Sequence, residues 1–178
     1  SSSGKQLPQV RNLLALILIS HVEYYQEDKP ILVTGATGYL AFWIIKLLLD
    51  QGYKVRGTVR SVQNKERNAK LFALDHASTH LQLFEANLTS EAGWDEAVQG
   101  CDYVLHTASP LPIPFPVNEI ELIEPAIKGT RIVAEAAIKH RVKRLVATGS
   151  CITITSNRPS GSYTEDDVTD VNITSHYA

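Results

Sequence analysis

Residues 31–61 read ILVTGATGYLAFWIIKLLLDQGYKVRGTVRS, and this stretch decides the fold. ILVT at 31–34 is a short apolar run suited to a buried strand, and GATG at 35–38 is a glycine-bearing turn. A helix is predicted from about Tyr39 to Gln51. Leu40, Trp43, Ile44, Leu47 and Leu48 recur there at helical spacing, and Phe42, Ile45 and Leu49 widen the apolar face. Gly52, free to adopt the left-handed cap conformation, ends that helix, and residues 53–59 supply the next strand. Strand, glycine turn, helix and strand in about thirty residues form the crossover from which parallel sheets are built.

The alternation continues outward. Residues 64–74 read as a helix, 81–84 as a third strand, and 91–98 as a short helix whose start is prepared by Thr89 or Ser90. Residues 103–106 read as a fourth strand. A long helix is expected over about 118–140, one face marked by Ile123, Ile127, Thr130, Ala134 and Ile138, followed by a fifth strand at 143–148. Between them SPLPIPFP at 109–116 holds four prolines in eight residues and is expected as a loop over a strand end, because each proline removes a backbone donor. Five βα units in series predict an α/β fold, a Rossmann-like doubly wound parallel sheet with helices on both faces.

Composition agrees with one domain. The 178 residues are 44% hydrophobic and 20% charged, with 17 Lys+Arg against 19 Asp+Glu. A chain of this size buries about 70% of its unfolded surface, so disorder and a coiled coil are excluded. The net charge of -2 provides no footprint for a nucleic-acid backbone. Cys101 and Cys151 lack clustered His or Cys partners, so free thiols in a reducing, cytoplasmic setting are expected and a zinc site is not. The apolar run LLALILI at 13–19 falls short of the roughly 20 residues of a membrane span and is expected as a short packed helix or an extra strand. No methionine occurs, and the chain opens SSSG, from which a segment of a longer protein is expected. Residues 1–29 are thus expected as an N-terminal extension and residues 30–178 as the sheet domain.

The chemistry centres on Gly35 and Gly38. At the carboxyl end of a first strand such a turn lets the backbone approach a pyrophosphate, while the amides opening the next helix present unpaired donors. The spacing departs from G-x-G-x-x-G, with Ala41 at the close helix-to-sheet contact. A plain tight turn is the competing role. Arg60 closes the second strand, where an acidic residue would hold a ribose diol; an arginine forks onto a 2'-phosphate instead and, with Lys65 and Arg67 nearby, favours NADP(H), the competing role being that of solvated charges at a helix start. His106-Thr107-Ala108-Ser109 and Thr148-Gly149-Ser150-Cys151 follow the fourth and fifth strands and should open at the same sheet edge. Ser150 suits either a hydrogen bond to substrate or a loop cap. His106, set among apolar strand residues, suits a satisfied structural role better than that of a base. No G-x-S-x-G, H-E-x-x-H or C-x-x-C occurs, and Glu165-Asp166-Asp167 with Asp170 reads as a solvated loop, so no metal site is expected.

Taken together, the blocks at 31–61, FEANLTSEAGWDEAVQGCDYVLHTASP at 84–110, ELIEPAIKGT at 121–130 and VKRLVATGSC at 142–151 resemble the extended short-chain dehydrogenase/reductases. The similarity is to the branch of dihydroflavonol 4-reductase, cinnamoyl-CoA reductase and the fungal or yeast ketone and aldehyde reductases, and it spans about residues 30–178. The resemblance implies NADPH as cofactor, with Gly35, Gly38 and Ala41 in the glycine turn and Thr37, Tyr39 and Leu40 around the phosphates. It puts Arg60 on the 2'-phosphate, Asn87 and Leu88 by the adenine, and Thr107, Ala108 and Ser109 beside the nicotinamide ribose; Thr148 is counted with these cofactor residues. Asn87 departs from the family's aspartate and gives up charge assistance.

The catalytic serine falls on Ser150, with Gly149 in place of a common serine, and the tyrosine of Tyr-x-x-x-Lys falls on Tyr177. The lysine position lies three residues beyond Ala178. In the resembled mechanism that lysine lowers the tyrosine pKa, tyrosine transfers a proton, serine orients the oxygen and the cofactor moves hydride. The function so implied is NADPH-dependent reduction of a small aldehyde, ketone or flavonoid-like carbonyl to an alcohol. This chain would carry mainly the cofactor part, stop before the substrate-binding lobe and show little turnover alone. A small-molecule carbonyl or alcohol is the expected partner, with neither nucleic acid nor membrane, and monomer and homodimer both stay open. A sugar epimerase, a 3β-hydroxysteroid-dehydrogenase-like enzyme and a non-catalytic dinucleotide sensor share the same N-terminal features.

Overall fold

The computed structural model describes residues 29–110, 118, 120–155 and 161–168. The segment 13–19, residues 111–117 of the proline-rich stretch, Asp170 and Tyr177 lie outside the described residues. The chain divides into two compact units, Ser1–Val146 and Ala147–Ala178. In the first, β1 (Ile31–Val33) leads through the glycine turn into α1 (Tyr39–Asp50), then β2 (Val55–Val59), α2 (Lys65–Phe72), the single turn α3 (Ala77–His80), β3 (Leu81–Glu85), α4 (Trp94–Val98), β4 (Tyr103–His106) and α5 (Ile120–Lys139). β5 (Arg144–Ala147) and the short α6 (Ile152–Thr155) follow. The strand order is β3-β2-β1-β4-β5, with β1 parallel to both β2 and β4 and β2 parallel to β3. The order reverses between β1 and β4, the switch point at which doubly wound sheets open a crevice beyond their strand ends.

Alternation along the strands sends side chains to opposite faces, and both faces are apolar. Ile31, Val33, Val55 and Val59 meet Ala41, Ile45 and Leu49 of α1, Leu71 of α2 and Ala77 of α3. Leu32 and Val104 meet Trp94, Ala97 and Val98 of α4 and Ile132, Val133 and Ala136 of α5. β1 is fully buried as a result, which is why it reads as an unbroken apolar run. In mid-β2, Gly57 leaves no room for a side chain: a Cβ there would lie 2.8 Å from Ala36 Cβ and 3.0 Å from Leu83 Cδ2.

Gly52 ends α1 as expected. It holds φ at +81°, its N–H donates to the Leu49 carbonyl and that of Tyr53 to the Leu48 carbonyl, the paired bonds of a Schellman cap.

Three local expectations change. The deep stripe of α1 is Ala41, Ile45 and Leu49, four residues apart, while Trp43 is exposed and packs edge-on against Tyr39 and Phe42. α5 is apolar on more than one side, and the side it buries is Gly129, Ile132, Val133, Ala136 and Ala137; Ile123, Ile127 and Ile138 are exposed. Small residues win because they permit close approach: a Cβ on Gly129 would meet Leu88 Cβ at 2.8 Å. Finally, α4 begins only at Trp94, with left-handed Gly93 as its N-cap. Ser90 Oγ instead accepts from the Ala92 N–H, and Trp94 Nε1 donates to the carbonyls of Asn87 and Ser90, so the predicted capping hydroxyl organises the loop ahead of the helix.

Candidate functional site

The glycine turn is built from β1 outward. Gly35 takes φ +69°, donates its N–H to Thr58 Oγ1 at 3.0 Å, and accepts the Gly38 N–H at 2.8 Å. The Ala36 N–H donates to the Thr58 carbonyl at 2.8 Å, so the turn is tied to β2 at two successive residues. A Cβ on Gly35 would meet Ala108 Cβ at 3.0 Å, and one on Gly38 would meet the Gly35 carbonyl at 3.1 Å. Gly38 is the N-cap of α1 and has no side chain to satisfy the first-turn donors; no acidic residue occupies that turn. The twelve-residue α1 therefore presents its N–H groups and positive dipole end over a bare backbone cradle, which fits a phosphate group. Thr37 is half-buried, Tyr39 is 83% exposed, Leu40 is half-buried, and Ala41 is 2% exposed against the sheet.

Charge is supplied from β2 and α2. Arg60 stands exposed just past the end of β2. Arg67, on the first turn of α2, donates from Nε to Thr37 Oγ1 at 3.3 Å, bringing a second guanidinium to the rim of the turn. Asn64 caps α2 by accepting the Arg67 N–H at 3.0 Å. Asn68, 1% exposed, fixes the connecting loop by donating to the carbonyls of Ser61 and Val62.

Beyond β3, Asn87 Oδ1 accepts the Thr89 N–H at 3.1 Å, an Asx turn that leaves its amide group exposed. Leu88 is half-buried beneath Gly129.

The end of β4 is held by one hydroxyl. Thr34, fully buried, continues β1, and its Oγ1 lies 2.8 Å from His106 Nδ1 and accepts the N–H groups of Thr107 and Ala108, each at 3.1 Å. Thr107 Oγ1 donates back to the Thr34 carbonyl at 2.7 Å. Thr107 and Ala108 are half-buried and Ser109 is exposed. Burial pushes the His106 imidazole below its ordinary pKa.

Gly35, Thr37, Gly38, Tyr39, Leu40, Thr107 and Ala108 are thus brought to one edge of the sheet, with Arg67 joined to them through Thr37. The polar anchors behind them, Thr34, Thr58 and Asn68, carry no motif of their own and escaped the sequence reading.

In the second unit Thr148, Gly149 and Ser150 are exposed, and the Ser150 carbonyl accepts from the N–H (3.1 Å) and Oγ1 (2.6 Å) of Thr153 at the start of α6. Glu165 and Asp166 are exposed, and Asp167 Oδ2 accepts the Thr164 N–H at 2.8 Å. Among the described residues no cluster of three or more His, Cys, Asp or Glu suits a metal ion, and no helix is long and apolar enough to cross a membrane.

Residues 31–178 match the model of the NAD dependent epimerase/dehydratase family. Over 126 residues the chain is 44% identical to Cinnamoyl-CoA reductase CAD2 of Medicago truncatula, an alignment covering 70% of this chain and 39% of that protein. Vestitone reductase from alfalfa (Medicago sativa L.) superposes with a TM-score of 0.64 at 31% identity, over 81% of this chain and 44% of its own. Gre2 from Candida albicans, in complex with NADPH, superposes with a TM-score of 0.69 at 27% identity, over 80% of this chain and 44% of its own. The chain accordingly spans well under half the length of these relatives. With the family match running from β1 through residue 178, and with a cinnamoyl-CoA reductase and a vestitone reductase among its relatives, the chain belongs to the NAD dependent epimerase/dehydratase family.

Proposed function

We propose that this chain is the NADPH-holding portion of a reductase that converts the carbonyl of a small aldehyde, ketone or flavonoid-like substrate to an alcohol. The observation that carries this is the uncapped N-terminus of α1 over the Gly35–Gly38 turn, with Arg67 beside it. The named activity of the Medicago reductase and the NADPH bound to the Candida protein support the same reading.

NADPH, when bound, supplies the hydride. The chain's own residues do the holding: the first-turn amides of α1 take the pyrophosphate, and Arg60 and Arg67 take the 2'-phosphate. The family resemblance assigns Asn87 and Leu88 to the adenine, Thr107, Ala108 and Ser109 to the nicotinamide ribose, and Thr148 to the cofactor residues. Ser150 orients the substrate oxygen and Tyr177 delivers a proton to it. The two free cysteines suit a reducing compartment, and we place the protein in the cytoplasm on that ground.

The test is the affinity of this chain for NADP+ and NAD+ by titration calorimetry. NADP+ should bind the more tightly, and Arg60→Ala and Arg67→Ala should each weaken NADP+ by roughly tenfold while leaving NAD+ nearly unchanged, as expected for loss of a charge-assisted bond. Equal affinities for the two dinucleotides, or an equal loss for both, would overturn the assignment.

A further inference from the structure

Thr34 Oγ1 has three polar neighbours and only one hydrogen. The Thr107 and Ala108 N–H groups, each at 3.1 Å, can only donate, and between them they occupy both lone pairs of the hydroxyl. Its single proton therefore goes to His106 Nδ1 at 2.8 Å, which must be unprotonated to receive it. Donor counting alone assigns the tautomer: His106 is neutral, with its proton on Nε2.

The register explains why these groups meet. Leu32 pairs with Val104 and Val33 with Leu105, so Thr34 and His106 stand side by side one step further along the parallel pair, on the face covered by α4 and α5. The side chains that α4 and α5 bury on this face are apolar, namely Trp94, Ala97, Val98, Ile132, Val133 and Ala136. Burial among these side chains lowers the His106 pKa.

We propose that His106 is a positioning residue for dinucleotide binding: by accepting the Thr34 proton it aims the hydroxyl's lone pairs at the β4 loop and holds Ala108 beneath the glycine turn. The link to the turn is direct, since Ala108 Cβ lies 3.0 Å from the point a Gly35 Cβ would occupy. A proton on Nδ1 would set N–H against O–H. The hydroxyl must then rotate, lose its proton acceptor and give up the hydrogen bond it accepts from the Thr107 or the Ala108 N–H. Acid thereby loosens the loop on which the turn rests. Because burial lowers the imidazole pKa in the folded chain, the lock holds at neutral pH and is lost as the pH falls through the folded value.

Resting on the dinucleotide reading above, the inference is tested with NADP+, which tolerates acid. Its affinity is measured from pH 7.5 to 4.5 for the unmodified chain and for His106→Asn, whose side-chain oxygen accepts the Thr34 proton but does not titrate. The phosphate's own titration is common to both and cancels in the ratio. The unmodified chain should lose roughly tenfold more affinity in acid than His106→Asn, the loss of about one hydrogen bond. Its midpoint should coincide with the His106 titration followed by 15N NMR, which should also show the Nε2–H tautomer. Thr34→Val should weaken binding at every pH, and Thr34→Ser should restore it; this pair and the NMR titration serve if His106→Asn does not fold. Superimposable acid limbs for the two proteins, or an Nδ1–H tautomer, would overturn the positioning role alone. No NADP+ binding at any pH would overturn the dinucleotide reading and the role with it.

Discussion

Gly52, Gly93 and Gly100 share nearly the same positive φ, +81°, +84° and +79°, yet differ in what surrounds them. A Cβ on Gly52 or Gly100 would meet nothing within 4 Å; one on Gly93 would lie 2.0 Å from the Glu85 carbonyl oxygen. Alanine at any of the three carries the left-handed strain of about 1–2 kcal/mol, partly offset by about 0.4–1 kcal/mol because the unfolded chain loses freedom. Gly52→Ala and Gly100→Ala should therefore cost about 1 kcal/mol each. At Gly93 the backbone must also yield by more than 1 Å to reach an ordinary contact of 3.4 Å. It has nowhere easy to go, because Glu85 is registered against Val59 in the β2–β3 ladder and the next residue, Trp94, is 2% exposed. Overpacking of that kind adds about 1–3 kcal/mol, so Gly93→Ala should cost about 2–4 kcal/mol, a large share of the 5–15 kcal/mol typical of a domain. Urea unfolding of the three variants, read as midpoint at constant slope, compares them directly. Equal losses for all three would refute the claim that the Glu85 contact, rather than the sign of φ, decides the cost.

Two further outcomes follow from the same packing. Arg56 Nη1 donates to the carbonyls of Glu96, Ala97 and Gln99 at 3.1, 3.0 and 2.6 Å, and its guanidinium lies 4.9 Å from the centre of the Phe84 ring. Arg56→Met keeps the stem but frees the carboxyl end of α4, and should lower urea stability by about 2 kcal/mol; a loss below about 0.5 kcal/mol would contradict the capping role. The Cys101 thiol is buried and its pKa is raised by that burial to about 11, in spite of Arg56 nearby, whereas Cys151 is exposed. At pH 8 only about one Cys101 in a thousand is thiolate, so a disulfide reagent should label one thiol quickly and the second only on unfolding. Two fast thiols in the folded chain would refute the burial of Cys101.

Much of the fold was legible because its signals are local. Gly52 marks the end of α1 wherever the chain goes next, and ILVT followed by GATG announces a buried strand and a tight turn without help from distant residues. The faces of α1 and α5 were less legible: both helices are apolar on more than one side, and burial chose the side with small residues, Ala41 on α1 and Gly129 with Ala136 and Ala137 on α5. Gly93 was missed as a cap because its reason is a carbonyl eight residues earlier, at the end of another element. The site shows the same division. Gly35 and Gly38 announce themselves by spacing, but Thr34, Thr58, Asn68 and the reach of Arg67 to Thr37 depend on strand register and on how α2 lies, which no short motif encodes.

Gly57 and Ala36 are twenty-one positions apart in sequence, yet they share a single methyl's worth of space, because a Cβ on Gly57 would sit 2.8 Å from the one on Ala36. A methyl at residue 57 therefore requires residue 36 to give up its own and the tip of Leu83 to move aside, so one added carbon in mid-β2 is felt at once in the glycine turn and in β3.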